Sequence, residues 1–501
     1  MTADQFVHLV NTTFSFTLLL LLSSTMPLYA ESSPKNGELT VNYEELTLPA
    51  GERMGMVELG VLHDFTENVS GGIGSWMAVK GERGGFITLG VDGVFRYPLT
   101  QQLALVSGIY VGAGGGRGGY TLSGGGLMLR THAALAYNFG ELGTLGAGIS
   151  SVDFPNGGNI HSTQPFFSYR LPFSSSLESG WDRHEQASPK SSAPKAHSLA
   201  LVTRHLRVSP SATNDAGGVQ GDFTLLGVEW RTQLNRAWYA KLETEGAAGG
   251  SSAGYMQILA GGGYRTPLMG NLFANADLSL GAGGGGGVDS GGGLLFDAAA
   301  GVEYFLTRHL FANLSAGYLA ASTGSFEANT LAFKLGYKTG VESDERVSFK
   351  PAYLRVRAVN QSYSQASNQW RSHHADQSVN TLGLQIDYLY SDEWYATGQG
   401  LAAYQGSAGA YMTGLVGTGI RKAINGNFYL NAEALAGAAG GGGLAMGSGL
   451  VWQGNAGVGY EINPSLSALV TAGRLEALNG NFKANVLGLS VAWQFKSYLK
   501  H

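Results

Sequence analysis

A block of this chain occurs twice, offset by 156 residues without a gap: Trp238-Tyr239-Ala240 returns as Trp394-Tyr395-Ala396, Arg265 as Arg421, Asn275 as Asn431 and Tyr304 as Tyr460. Gly301-Val302, Ala316-Gly317 and Ala328-Asn329 recur at the same offset as Gly457-Val458, Ala472-Gly473 and Ala484-Asn485. A looser third copy lies upstream, with Trp76, Phe86, Arg96, a Gly-rich run at 112–119 and Tyr137. Internal repeats decide architecture before any residue-level reading. A period this long is no solenoid or propeller blade, so each copy is a many-stranded unit.

Glycine is 77 of 501 residues and charged residues are 13%, against typical values of ~7% and ~25%. Aromatics stay at 11%, so the chain is not a disordered Gly-rich polymer, which would lack them. The absence of cysteine excludes disulfides, thiol catalysis, Cys-ligated metal and a lipoprotein anchor. A net charge of −5 gives no reason to expect nucleic acid. The run FTLLLLL at 16–22, followed by small residues and Ala30, reads as a secretory signal over 1–30. It is too short for a membrane-spanning helix, which needs ~20 apolar residues.

Beyond residue 38 the hydrophobic period is two, the strand signal. The same strand appears three times, as LGVLHDF from Leu59, LGVEWRT from Leu226 and LGLQIDY from Leu382. One face carries Leu59 and Val61, Leu226, Val228 and Trp230, or Leu382, Leu384 and Ile386. The other carries Gly60 and Asp64, Gly227, Glu229 and Arg231, or Gly383, Gln385 and Asp387. Alternation of this kind suits a soluble sandwich and a membrane barrel equally. Each unit holds about eight such strands, which gives 24 over units 31–173, 196–340 and 341–501. The Pro/Ser-rich stretch 174–195 reads as a periplasmic linker.

Three features separate sandwich from barrel. Short turns (233–238, 265–271, 306–310) alternate with long Gly/Ser-rich loops (245–254, 320–326), the layout of outer-membrane barrels with short periplasmic turns and long extracellular loops. Aromatics flank the short turns: Trp76, Trp238 and Trp394 open one strand, where an interfacial girdle belongs. The final strand sets Val491, Trp493 and Phe495 on one face beside the terminus. The chain thereby resembles the bacterial outer-membrane β-barrel proteins as a class. That resemblance implies residence in a Gram-negative outer membrane, with the lipid bilayer and the barrel-assembly machinery as partners. Trp493 and Phe495 would serve as the assembly signal.

Two closures remain open, a single antiparallel barrel of about 24 strands or three eight-stranded barrels. An eight-stranded interior is just filled by side chains, whereas a wide barrel encloses a lumen. Gly60, Gly227, Gly261, Gly263, Gly383, Gly417 and Gly419 fall on the inward face, and a Gly-lined wall fills little. The sequence reading therefore favours one wide barrel.

In that barrel Arg96, Arg265 and Arg421, with Asp64, Glu229, Arg231, Asp387, Arg355 and Arg357, would line the pore. Three equivalent arginines form the type of charged ring that selects anions, or else are ion-paired rim residues. The Gly runs 112–119, 281–287 and 437–443 (gate candidates Gly114, Gly283, Gly284 and Gly440) could fold inward as a threefold gate. The blander reading is flexible loop or strand tips. No helix and lysine follow them, so a phosphate loop is not implied.

Histidines are the only plausible bases, and His132, His205, His309 and His373-His374 do not recur between units. No enzyme, metal or cofactor is expected. The reading is a channel passing solute or, preferably, a macromolecule (exported protein or polysaccharide), with a possible periplasmic partner. The alternative is a structural or surface-anchoring outer-membrane protein without an open pore.

Overall fold

The computed structural model describes residues 37–173, 178–179, 196–339 and 349–500. The expected signal at 1–30 and nearly all of the linker 174–195 lie outside them.

The chain forms three closed eight-stranded antiparallel barrels. The first comprises β1 (Gly37–Thr47), β2 (Arg53–Asp64), β3 (Val69–Lys80), β4 (Ile87–Pro98), β5 (Leu103–Gly115), β6 (Leu127–Asn138), β7 (Thr144–Asp153) and β8 (His161–Phe173). A two-residue strand, β9 (Glu178–Ser179), follows and pairs with Phe495 and Lys496 at the end of the chain's last strand. The second barrel comprises β10 (His197–Val208), β11 (Phe223–Gln233), β12 (Trp238–Gly250), β13 (Met256–Met269), β14 (Leu272–Gly284), β15 (Leu294–Phe305), β16 (Leu310–Ala321) and β17 (Glu327–Thr339). The third comprises β18 (Phe349–Gln365), β19 (Val379–Leu389), β20 (Trp394–Gln405), β21 (Met412–Asn425), β22 (Phe428–Gly440), β23 (Leu450–Asn463), β24 (Leu466–Ala477) and β25 (Lys483–Lys500). Closure is explicit in the register: Gly37 pairs with Phe173, His197 with Thr339, and Phe349 with Lys500.

The expected 24 long strands are present, but the single wide barrel is not. The inward glycines do not widen the bore, for a physical reason. A glycine leaves room for a neighbour's side chain, so it narrows a bore as readily as it widens one. A Cβ on Gly263 would collide with the ring of Tyr239, one on Gly419 with Tyr395, one on Gly459 with Tyr429, and one on Gly336 with Phe311. The rings lie across these sockets, and Tyr239, Tyr395 and Tyr429 are buried in the lumens. At Gly227, Gly261, Gly383 and Gly417 the added carbon would meet a carbonyl of the adjoining strand, the close approach that tight coiling requires.

Each lumen is stoppered at its long-loop end by apolar side chains: Leu46, Met54, Phe86, Met128 and Phe154 in the first barrel, Leu206, Phe223, Tyr255 and Phe326 in the second, Tyr363, Trp370, Tyr411 and Phe482 in the third. Trp370 comes from the loop after β18 and folds inward, its indole N–H donating to the Ala375 carbonyl at 2.8 Å.

The barrels touch in a ring at that same end. The β3–β4 turn of the first meets the Gly run of the second: the Gly84 N–H donates to Gly291 O at 2.8 Å, and a Cβ on Gly284 would lie 2.7 Å from Gly85 N. The β12–β13 turn of the second meets the Gly run of the third, where a Cβ on Gly254 would lie 2.9 Å from Gly441 N. The β20–β21 turn of the third returns to the first: the Gly409 N–H donates to Gly124 O at 2.9 Å, and a Cβ on Gly115 would lie 2.7 Å from Ala410 N. One head-to-tail contact, used three times, closes on itself as a cyclic heterologous interface does. An apolar cluster with members from all three barrels (Val57, Met77, Ile87, Ala282, Leu294, Ala402, Met412) fills the space between them.

Replacing Gly263 by Val should expel the Tyr239 ring and cost roughly 1–3 kcal/mol as an overpacked core. Gly414→Val, where an added carbon meets nothing within 4 Å, should leave stability within about 0.5 kcal/mol. Urea unfolding followed by tryptophan fluorescence separates the two, and equal midpoints would refute the socket assignment.

Candidate functional site

The chemistry-bearing side chains gather inside the barrels, between the apolar stopper and the short-turn mouth. Strand alternation puts them there, because residues two apart share a face. In the first barrel Arg130 on β6 donates through Nε to both Glu44 carboxylate oxygens, at 3.1 and 3.0 Å. Its guanidinium lies over the rings of Trp76 at 4.5 Å and Phe166 at 4.7 Å. In the second, Arg204 bridges Glu243, Glu245 and Asp297, while Lys334 pairs with Glu229 at 2.5 Å and Glu243 at 3.2 Å. Lys241 reaches Glu243 at 3.5 Å and Asp297 at 3.7 Å. In the third, Arg355 and Arg357 converge on Asp387 at 2.6 and 2.9 Å, and Arg357 also binds Glu433. All these side chains are at most 2% exposed.

Charges this deeply buried persist only when paired and hydrogen-bonded. The networks therefore act as bolts across each bore. Asp277 and Glu433, one repeat apart, each accept from the hydroxyl of the buried tyrosine at their level, Tyr239 or Tyr395. Ring, socket glycine and acid recur as a set.

The expected pore-lining residues do point inward, into three separate lumens. Arg96 pairs with Asp64 at 3.0 Å and Glu38 at 2.5 Å, Arg265 with Glu303 at 3.0 Å, and Arg421 with Glu461. Each sits at the short-turn mouth of its own barrel, fixed by the same contact: its backbone N–H donates to Asn68 O, Ala237 O or Glu393 O. They share no ring. Glu229, Asp387, Arg355 and Arg357 belong to the bolts just described, and Arg231 joins them by pairing with Glu229 at 2.5 Å and Glu303 at 2.8 Å. No open path through one common pore joins them.

Trp238 and Trp394 open β12 and β20 and are 53% and 44% exposed. Trp76 differs: it is fully buried in the first lumen. Aligning the units on the mouth arginines equates Val69, which pairs with Phe95, with Trp238, which pairs with Tyr264. Trp76 then falls seven residues inside the strand, level with Glu245, so the girdle position in the first unit belongs to Val69.

Of the gate candidates, Gly284 and Gly440 press against backbone of the neighbouring barrel. Gly114 accepts the Ala410 N–H at 3.4 Å, while Gly283 lies within the second barrel against Leu295 and Gln257. Each Gly run abuts a turn of the neighbouring barrel, so the three runs form joints between barrels. Trp493 faces outward and lies level with Val356 and Leu466 on the flanking strands, and β25 continues as strand beyond Phe495 to Lys500.

Arg130, Arg204, Lys241, Lys334, Glu243, Glu245 and Asp297 escaped the sequence reading. The segment Lys241-Leu-Glu243-Thr-Glu245 carried the signal, since a period-two run of opposite charges marks one face of one strand. Among the described residues no cluster of three or more histidines and acids could hold a metal, and His132 lies 2.9 Å from Arg130.

No protein-family profile and no curated protein matches this chain. Solved structures similar to it are outer-membrane β-barrel proteins. The ferric enterobactin receptor of Pseudomonas aeruginosa is 10% identical, covering 94% of this chain and 82% of its own, with a TM-score of 0.27. OccAB3 of Acinetobacter baumannii is 11% identical (92% and 99% covered, TM-score 0.18), and a bacterial polysaccharide outer-membrane secretin 8% (93% and 99%, TM-score 0.22). At these scores the overall shapes do not superpose, and no property of those proteins transfers to this one.

Arg357→Met would strand Glu433 and should cost about 3–5 kcal/mol, as expected when one partner of a buried pair is removed. Arg357→Met with Glu433→Met should recover much of that loss, because apolar replacement of a whole buried pair is often neutral. Urea midpoints of the two variants, read against the native chain, check the bolt: additive losses would contradict it.

Proposed function

We propose that this chain is an outer-membrane protein whose three barrels each cross the bilayer and whose lumens are shut. Its role is then structural: it anchors and displays the joined long-loop surface. One observation carries the membrane assignment. Polarity is inverted, with charges buried in the lumens and large apolar side chains such as Leu201, Ile109, Leu278, Phe333 and Leu489 on the outside. A soluble protein seldom exposes contiguous apolar surface beyond a few hundred Å², whereas a closed barrel in lipid requires it. Strand length supports the reading: the barrel strands run from 10 to 18 residues, and a tilted spanning strand needs about 9–11.

A Gram-negative outer membrane is the bilayer that such barrels occupy, and the signal expected at 1–30 fits export to it. In that setting Trp238 and Trp394 sit at the periplasmic interface, and the barrel-assembly machinery engages the strand bearing Trp493 and Phe495. Shut lumens favour the structural reading over export of a polymer. Transport would require one set of bolts to part, and a periplasmic partner is the natural agent for that.

Purified full-length chain in planar bilayers should give no sustained conductance under moderate voltage. Stable single-channel steps would overturn the shut-lumen reading and establish transport. The membrane assignment has its own test. Leu278, 71% exposed in the middle of β14, changed to Arg should lower folding stability in lipid by about 2–4 kcal/mol near the midplane. In an aqueous protein the same exposed change would be nearly neutral.

A further inference from the structure

Midway along the first barrel two carboxyl groups meet without a cation on either. Glu58 on β2 and Asp92 on β4 flank β3, and a Cβ on Gly74 would strike both Glu58 Oε1 and Asp92 Oδ2. The two side chains lie within hydrogen-bonding reach of each other. Glu58 is 1% exposed. Asn42 Nδ2 donates to its Oε2, while no donor among the described residues reaches its Oε1. Arg130 on β6 is the cation nearest the pair, and its one ion pair among the described residues is with Glu44 on β1. Glu44 also accepts from Ser150 Oγ on β7 at 2.5 Å. Arg130 gives its Nη1–H to His132 Nδ1 at 2.9 Å. Tyr110 on β5 keeps its hydroxyl beside Thr88 Oγ1 at 3.0 Å and Gly74 O at 3.5 Å. Nearer the mouth, Arg96 pairs with Glu38 and Asp64, and Arg170 on β8 lies 3.8 Å from Glu38. The acids of this bore, Glu38, Glu44, Glu58, Asp64 and Asp92, thus outnumber its arginines, Arg96, Arg130 and Arg170.

Barrel closure does not demand this pair. Leu59-Gly60-Val61 aligns with Leu226-Gly227-Val228 and Leu382-Gly383-Leu384, which sets Leu225 and Thr381 in place of Glu58. Counted from the mouth arginines, Gly261 and Gly417 stand in place of Asp92. Only the first unit brings these two carboxyls together.

Two carboxylates sharing one site inside a filled bore do not both stay ionised. A proton on one lets it donate to the other, which supplies the hydrogen bond that Glu58 Oε1 otherwise lacks. We propose that Glu58 and Asp92 hold one proton between them and that the pair is a pH-sensitive lock on the first barrel. Losing that proton leaves like charges facing across Gly74. It drives β2 and β4 apart beside Trp76, the register partner of Glu58. The folded chain then keeps a proton that the unfolded chain has given up, so stability falls as pH rises until the pair ionises. The lock rests on the closed first barrel and not on its lying in a bilayer.

Infrared spectroscopy and urea unfolding of the detergent-solubilised full-length chain over a pH series test it. At neutral pH the native chain should show the carbonyl band of a protonated carboxyl group, and raising the pH should remove it. Native stability should fall over the same range, by up to about tenfold in the folding constant per pH unit for one proton. Asp92→Asn and Glu58→Gln each replace one carboxyl by an amide that donates to the other without titrating. Retained heat-modifiable migration in gels shows that a variant is folded, and either one suffices. A folded variant should show a weaker band at neutral pH and lose less stability as the pH rises. A band and a pH slope unchanged in a folded variant overturn the lock. A native chain with no such band at neutral pH overturns it without any variant.

Discussion

An eight-stranded barrel has a bore about as wide as the side chains that point into it, and the rest of this structure follows from that width. Inward charged groups meet their counter-charges across a few ångströms of lumen, because the bore is filled by side chains. Arg204, placed among Glu243, Glu245 and Asp297, and Arg357, placed between Asp387 and Glu433, are consequences. The socket glycines are another, since Tyr239 and Tyr395 fit only where the facing residue has no side chain. High glycine content, low charge and buried ion pairs have one cause.

The same width explains why tripling the unit enlarges the molecule without enlarging a pore. Each unit closes on itself, β1 on β8, β10 on β17 and β18 on β25, and two residues of β9 pair with the end of β25. Association falls to the outer walls and long-loop turns. There glycine acts in a second way: at Gly284, Gly254 and Gly115 backbones of adjacent barrels approach more closely than any Cβ allows. One residue type thus builds both the filled bores and the joint between them.

Departures from the repeat are as informative as its recurrences. The first barrel has Ser70 where the second has Tyr239, and fills its bore with Trp76 beneath Arg130 and with Tyr110 against Gly90 and Gly112, which is why aligning tryptophan with tryptophan misplaced the girdle. The second barrel sets Arg231 and Arg265 on one carboxylate, Glu303, whereas the mouth arginine of the third, Arg421, pairs with Glu461. Architecture is shared among the units and chemistry is not.

The sequence by itself determined the local order. Period-two alternation located strands such as Leu272–Gly284 and Leu310–Ala321 to within a few residues, and turn lengths assigned the two ends. The same alternation turned Glu229, Arg231, Asp387 and Arg355 inward, because side-chain direction in a strand is a local property. Closure was decided only in three dimensions. Whether β8 pairs with β1 or with the next unit depends on coiling and on what fills the bore, and both are relations between residues up to about a hundred and fifty positions apart. The inward glycines are the clearest instance. A missing side chain is visible in the sequence, but the ring that occupies its place comes from a neighbouring strand, and only the folded sheet brings the two together.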